Sequence, residues 1–252
     1  MPLRALNWRR AMGGGETKPQ VFECDDGNDW VLKLPGNPHL GAAGLCADWI
    51  GTALAAECGV PVLECALVEV TPTALATMPD DNVATPWAAP GTAFGSRFLA
   101  EAVSVLGLQG TPDLGLISRI VVVDTWLDVL DRKKPHGGLW NLLVDTNTPS
   151  SSLRVIDFGL SLTELLGPPM LGDIEVTVRC PTEWRPYLTT ADVSAAVADA
   201  HAIPSEWIDE IVASIPPDWR AAAPRYTELT VYLVARREFL TEAFAREGVL
   251  HG

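Results

Sequence analysis

Leu153-Arg154-Val155-Ile156-Asp157-Phe158-Gly159 ends a short apolar strand on a carboxylate. The glycine two residues further on frees the backbone to turn, and an aspartate at such a strand end is well placed to hold a hard cation. Asp-x-Gly turns are common after strands, so the tripeptide takes its meaning from its neighbours. Asn141-Leu142-Leu143-Val144 reads as the preceding strand, and the polar run from Asp145 to Ser152 is the turn between the two. Asn141 opens one strand and Asp157 closes the other, so their side-chain oxygens can face one cleft. An amide and a carboxylate from adjacent strand ends form the two-ligand arrangement that phosphoryl-transfer sites use for magnesium.

Upstream, the apolar spacing from Pro112 to about Leu130 is helical, with Thr111 or Pro112 as its start. This helix carries Asp124, Trp126 and Asp128 and runs into Asp131-Arg132, where a carboxylate could orient the proton of an acceptor hydroxyl. A glycine-bearing loop, Asp131 to Trp140, leads back to Asn141. Residues 5 to 34 read as three strands joined by turns. Gly13-Gly14-Gly15 lies in the first connection and Asp25-Asp26-Gly27-Asn28 makes the second. In the third strand Trp30, Leu32 and Leu34 share one face, and Lys33 takes a position where an apolar residue is expected. The helix that follows, Ala42 to Cys58, places Asp48 between Leu45 and Trp49, close to its apolar face. A strand lysine held by a helix carboxylate fixes an ammonium for nucleotide phosphates.

Pro61 to Val70 is a further strand, and the Pro-, Gly- and Ala-rich stretch from Thr71 to Gly95 reads as loops and a hinge. The remainder is helical over Thr190 to Ala202, Ser205 to Ile215 and Thr227 to Glu247, with Thr190 and Ser205 as N-caps of the first two. Arg236-Arg237 on the last helix reads as a solvated face. Trp140, beside Asn141, is the one tryptophan expected near the cleft.

The 252-residue chain has 48% hydrophobic and 20% charged residues, the balance of an ordinary globular protein. Its longest apolar run stops at Asp124, and Met1-Pro2-Leu3-Arg4 opens no secretory signal, which leads us to expect a cytoplasmic protein. A net charge of −14, from 32 acidic against 18 basic residues, disfavours nucleic acid and anionic membrane as partners. Only Lys18, Lys33, Lys133 and Lys134 are available as phosphate-binding lysines. Five scattered cysteines without a Cys-x-x-Cys pair argue against structural zinc or a disulfide framework.

In this order of elements the chain resembles the HipA-like kinases, within the wider group of atypical and phosphatidylinositol 3/4-kinase-like kinases. The likeness rests on Trp30-Val31-Leu32-Lys33, Leu45-Cys46-Ala47-Asp48-Trp49-Ile50, Gly59-Val60-Pro61-Val62 and Phe94-Gly95-Ser96-Arg97. It continues in Asp124-Thr125-Trp126-Leu127, Asp131-Arg132, Asn141-Leu142-Leu143 and Ile156-Asp157, and covers roughly residues 20 to 165. The resemblance implies an α+β, bilobal, protein-kinase-like fold, with a small antiparallel-sheet N-lobe over residues 1–90 and a mostly helical C-lobe over 91–252. It implies ATP and Mg2+, with Lys33 on the phosphates, Asp48 (where relatives usually carry Glu) as its partner, and Asn141 and Asp157 as metal ligands. Asp131 becomes the catalytic-loop aspartate, Arg132 a nucleotide contact, and Gly13, Gly14 and Gly15 the cover over the phosphates. The acceptor is a protein Ser/Thr or a small-molecule hydroxyl. Such kinases place the catalytic aspartate about five to seven residues before the metal-binding asparagine, whereas Asp131 and Asn141 stand ten apart with Lys133, Lys134 and His136 between. That departure leaves open a catalytically inactive, nucleotide-binding or regulatory module. A metal-dependent hydrolase using Asp124, Asp128, Asp131 and Asp157 is a third reading.

Overall fold

Alternating apolar residues and tight turns at the N-terminus build strands that find partners far along the chain. The computed structural model describes residues 2–13, 17–79, 86–104, 113–132, 141–146, 152–162, 176–222 and 225–250. β1 (Leu3–Ala11), β2 (Gln20–Cys24) and β3 (Asp29–Lys33) form an antiparallel meander in which Phe22 faces Trp30 and Val21 faces Val31. After α1 (Gly41–Glu57), β4 (Cys65–Val70) and β5 (Gly91–Arg97) complete the sheet. β5 pairs with β3 and β4, and β4 closes back on β1, giving a barrel in the order β1-β2-β3-β5-β4.

Two expectations change here. The sheet is a closed barrel, and one seam is parallel, Leu3 lying opposite Val68, because α1 carries the chain across before β4 begins. The stretch read as loops and hinge contains a four-residue helix, α2 (Pro72–Leu75), and all of β5 except its last two residues. β5 is bonded into the barrel on both of its edges, to β3 and to β4. Gly95 explains how so plain a segment serves as a strand, since a Cβ there would stand 2.8 Å from Val68 and 3.0 Å from Leu32. The barrel interior is filled by Phe22, Trp30, Leu32, Val68 and Ala93, among others.

A second, larger core surrounds α3 (Leu114–Leu127), whose residues from Ile117 to Leu127 are almost all buried. Asp113 caps α3 by accepting the Leu116 amide, and the left-handed Asp128 ends it, while Thr111 and Pro112 lie outside the described residues. β6 (Ala102–Ser104), β7 (Leu142–Asp145) and β8 (Ser152–Val155) form a small antiparallel sheet, one strand larger than the expected pair. α4 (Thr190–Ala202), α5 (Ser205–Ala213) and α6 (Pro217–Ala222) follow. Thr189, one residue before the expected cap, caps α4 through the Asp192 amide, and Pro204 precedes α5 without a side-chain cap. The expected last helix is two, α7 (Leu229–Glu238) and α8 (Leu240–Arg246), parted at Phe239.

Arg236 and Arg237, expected in solvent, are buried. Arg236 donates from Nε to the Trp126 carbonyl at 2.7 Å and from Nη2 to the Thr125 carbonyl at 2.8 Å. It thus satisfies carbonyls at the end of α3 that have no partner within the helix.

α1 joins this larger core through Leu45, Ile50 and Leu54. It lies so close to the Asp157-Phe158-Gly159 turn that a Cβ on Gly51 would fall 2.5 Å from Phe158 Cβ and 2.7 Å from its Cγ. These are the root atoms of a buried side chain, so they cannot swing aside. Gly51→Ala therefore displaces either α1 or Phe158, at a cost of roughly 1–3 kcal/mol. Thermal denaturation should register that loss, and an unchanged melting temperature would show that the helix and turn are less tightly seated than they stand here.

Candidate nucleotide and metal site

Lys33, the last residue of β3, lies between two carboxylates. Its Nζ donates to Asp48 Oδ2 at 2.6 Å and to Asp157 Oδ1 at 2.7 Å. Asp48 is buried on α1, and its other oxygen accepts the Phe158 backbone N–H at 2.9 Å. One ammonium thus links the barrel, α1 and the turn after β8. Burial alone would lower the Lys33 pKa, but Asp48 and Asp157 outweigh it and hold the group above its ordinary value. Burial lifts the Asp48 carboxyl to about 6, with Asp157 adding to the rise and Lys33 opposing it.

The register of β7 and β8 sets the other half of the site. Leu142 pairs with Val155, and one step outward the Ile156 amide donates to the Asn141 carbonyl at 3.0 Å. Asn141 forms one side of this last rung and Asp157 follows directly after the other. Both adopt left-handed backbone, with φ of 53° and 64°, a conformation that costs about 1–2 kcal/mol outside glycine and least in Asn and Asp. Asp157 Oδ1 also accepts the Gly159 amide at 3.4 Å. Asn141 Nδ2 donates to the Asp131 carbonyl at 3.1 Å and to Asp131 Oδ2 at 3.3 Å. The ten-residue separation therefore does not part these two side chains. Lys133, Lys134, His136 and Trp140 lie outside the described residues, as do Gly14 and Gly15.

Lys33, Asn141 and Asp157 line one cavity of about 300 Å³, together with Gly13 and Thr17 from the β1–β2 connection. Val31, Leu63, Phe94, Leu143 and Val155 supply apolar walls. An apolar slot suits a flat base, and the polar end offers an ammonium, an amide oxygen and a carboxylate. Hard oxygen donors of this kind fit magnesium, which keeps several of its own waters and takes only one or two protein carboxylates. The β1–β2 connection is pinned from behind by Asn37, a buried residue that sequence reasoning passed over, whose Nδ2 donates to the Thr17 carbonyl at 2.7 Å.

Arg132 departs from its expected place. It does not line the cavity but is buried against Asp124, with Nε to Oδ2 at 2.8 Å and Nη2 to Oδ1 at 2.7 Å. Burial raises the Asp124 carboxyl pKa against the pull of Arg132. Asp128 is likewise tied to Arg179, at 2.7 Å. With Asp124 and Asp128 so occupied, the four-aspartate hydrolase reading loses half of its ligand set, and among the described residues no three His, Cys, Asp or Glu side chains stand together for a metal. Nothing in the spacing of Asp124 and Arg132, eight residues apart, announced that they meet.

A family model described as HipA-like kinase matches residues 7–246 of the sequence. No curated protein gives a significant match. Among solved structures, the fold resembles the Helicobacter pylori proinflammatory kinase CtkA, with a TM-score of 0.62 and 13% identity over 98% of each chain. It also resembles the Golgi casein kinase solved with Mn/ADP bound, with a TM-score of 0.57 and 11% identity over 98% of this chain and 75% of that one. These likenesses show a kinase-like fold of mixed α and β structure. Among the described residues no helix is long and apolar enough to cross a membrane.

Proposed function

The chain belongs to the HipA-like kinase family, and from that premise we propose that it is an ATP- and magnesium-dependent phosphotransferase acting on a hydroxyl of a protein Ser/Thr or of a small molecule. The observation that carries this reading is the Lys33 ammonium held by Asp48 and Asp157 at the polar end of a cavity that Asn141 also lines. The arrangement is bilobal in this reading, with the base between the barrel (Val31, Phe94) and the small sheet (Leu143, Val155), and with β5 kept in the first lobe. Lys33 neutralises the α- and β-phosphates while Asp48 fixes its direction. Asn141 and Asp157 hold the magnesium, which when bound offsets charge developing on the phosphate oxygens. Asp131 orients the acceptor hydroxyl and takes its proton as the oxygen bonds the γ-phosphorus, the β–γ bridging bond breaks and ADP leaves. The charge of −14 supports an acceptor other than nucleic acid or an anionic membrane, and a chain whose described cysteines are all free suits the cytoplasm.

Purified protein incubated with magnesium and γ-labelled ATP, across a panel of acceptors, should release ADP and yield a phosphorylated product by intact-mass spectrometry. Asp131→Ala should lose about 10²–10⁴-fold in transfer while its affinity for ATP stays that of wild type. Equal turnover would take the proton-handling role from Asp131. Binding without ADP release from wild type would favour the regulatory module, and the absence of any ATP-dependent thermal shift would end the nucleotide reading.

A further inference from the structure

The residue following Asp131 stands away from the cavity yet touches the backbone on which both candidate metal ligands rest. Two of the Arg132 guanidinium nitrogens are taken by Asp124 on α3. The third, Nη1, donates to the Asn141 carbonyl at 3.3 Å and to the Ile156 carbonyl at 3.1 Å. The first carbonyl is Asn141's own, and the second belongs to the peptide unit entering Asp157. The guanidinium carbon also lies 5.2 Å from the centre of the Phe158 ring, on the other side of Asp157.

We infer that Arg132, anchored by Asp124, is a positioning residue that sets Asn141 and Asp157 for the divalent cation; this rests on the kinase reading above. Left-handed backbone at a residue other than glycine persists only where its surroundings over-determine it. Asn141 and Asp157 are both left-handed, and one planar fork reaches a carbonyl beside each. The anchor is rigid, because Asp124 sits on the most deeply buried helix of the larger core. Stability alone is a poor reason for the pair, since the desolvation of two buried charges consumes much of what their attraction returns. Only arginine fits the task. Its fixed geometry serves a carboxylate on one edge and carbonyls on another, whereas the point charge of lysine cannot span them.

Arg132→Lys keeps the charge beside Asp124 and removes the fork. Calorimetric titration of a non-hydrolysable ATP analogue, in chelator and then in magnesium, separates positioning from mere support, with circular dichroism as the check on folding. For wild type we expect tighter binding in magnesium. For Arg132→Lys we expect wild-type affinity in chelator and loss of at least about tenfold of the magnesium-dependent gain, the range seen when groups behind metal ligands are removed. Full retention of the gain, or equal weakening with and without magnesium, overturns the inference. If Arg132→Lys does not fold, Asp124→Asn, which loosens the anchor while keeping its shape, is judged by the same split. A wild type whose binding ignores magnesium sinks the kinase reading itself, so the two failures are told apart.

Discussion

Asp157→Asn should cost on the order of 10³-fold in phosphoryl transfer while the protein melts at or above the wild-type temperature. The two halves of this expectation share one cause, the like charges of Asp48 and Asp157 around Lys33. In the free protein Lys33 faces two carboxylates, Asp48 and Asp157, which stand as like charges on either side of it. Asp157 is one of the groups that raise the Asp48 pKa. Replacing Asp157 with its neutral isostere leaves Lys33 and Asp48 as a balanced pair and eases ionisation of the buried acid. Asparagine also tolerates the left-handed backbone that the position requires. On the kinase reading the Asp157 carboxylate is kept for the divalent cation, although it opposes ionisation of the buried Asp48 beside it. Thermal denaturation and ADP release on the same preparation decide the matter. A variant that keeps its activity shows that Asp157 holds no metal, and one that melts well below wild type shows that the carboxylate was structural.

What the sequence disclosed and what it hid divide along a physical line. Lys33 and Asp48 were visible because each breaks a periodic apolar pattern, and a charge on a buried face needs a partner. Asn141 and Asp157 were visible because a short turn between two strands fixes their pairing, and with it which residues end up side by side. The kinase-like mixture of α and β structure was legible for the same reason, from the order of strands and helices. Barrel closure was hidden, because β5 carries Gly91 and Gly95, and a glycine that makes room for a neighbouring strand looks like a glycine that breaks one. Arg132 and Arg236 were misplaced for a related reason. Each is buried because its fork satisfies a carboxylate or carbonyls contributed by α3, 110 residues away in the case of Arg236 and Trp126. Polar partnerships of this kind, whether eight residues apart or 110, leave no periodic trace.

Lys33→Met should do the reverse of Asp157→Asn and remove nucleotide binding and stability together. Deleting the ammonium leaves Asp48, almost wholly buried, and Asp157, about a quarter exposed, without their shared cation. Breaking a buried pair from one side costs about 3–5 kcal/mol, which lowers the melting temperature by roughly 6–20 °C in a chain of this size. The pH dependence identifies the cause. In wild type the folded Asp48 carboxyl titrates at about 6 against an ordinary 3.8, so its contribution to stability is complete below 3.8 and is withdrawn as pH rises to about 6. Without Lys33 its pKa climbs further, so the withdrawal continues through neutral pH and the deficit of Lys33→Met is larger at pH 8 than at pH 5. Adding Asp48→Asn to Lys33→Met should return most of the lost stability, because the buried charge goes with its partner, and should return none of the affinity for ATP. A deficit of equal size at both pH values would assign the loss to the missing side-chain packing of Lys33. ATP binding by the double variant would show that the phosphates are held elsewhere. The expected pattern makes the ammonium both the keystone of the free site and the group that meets the phosphates.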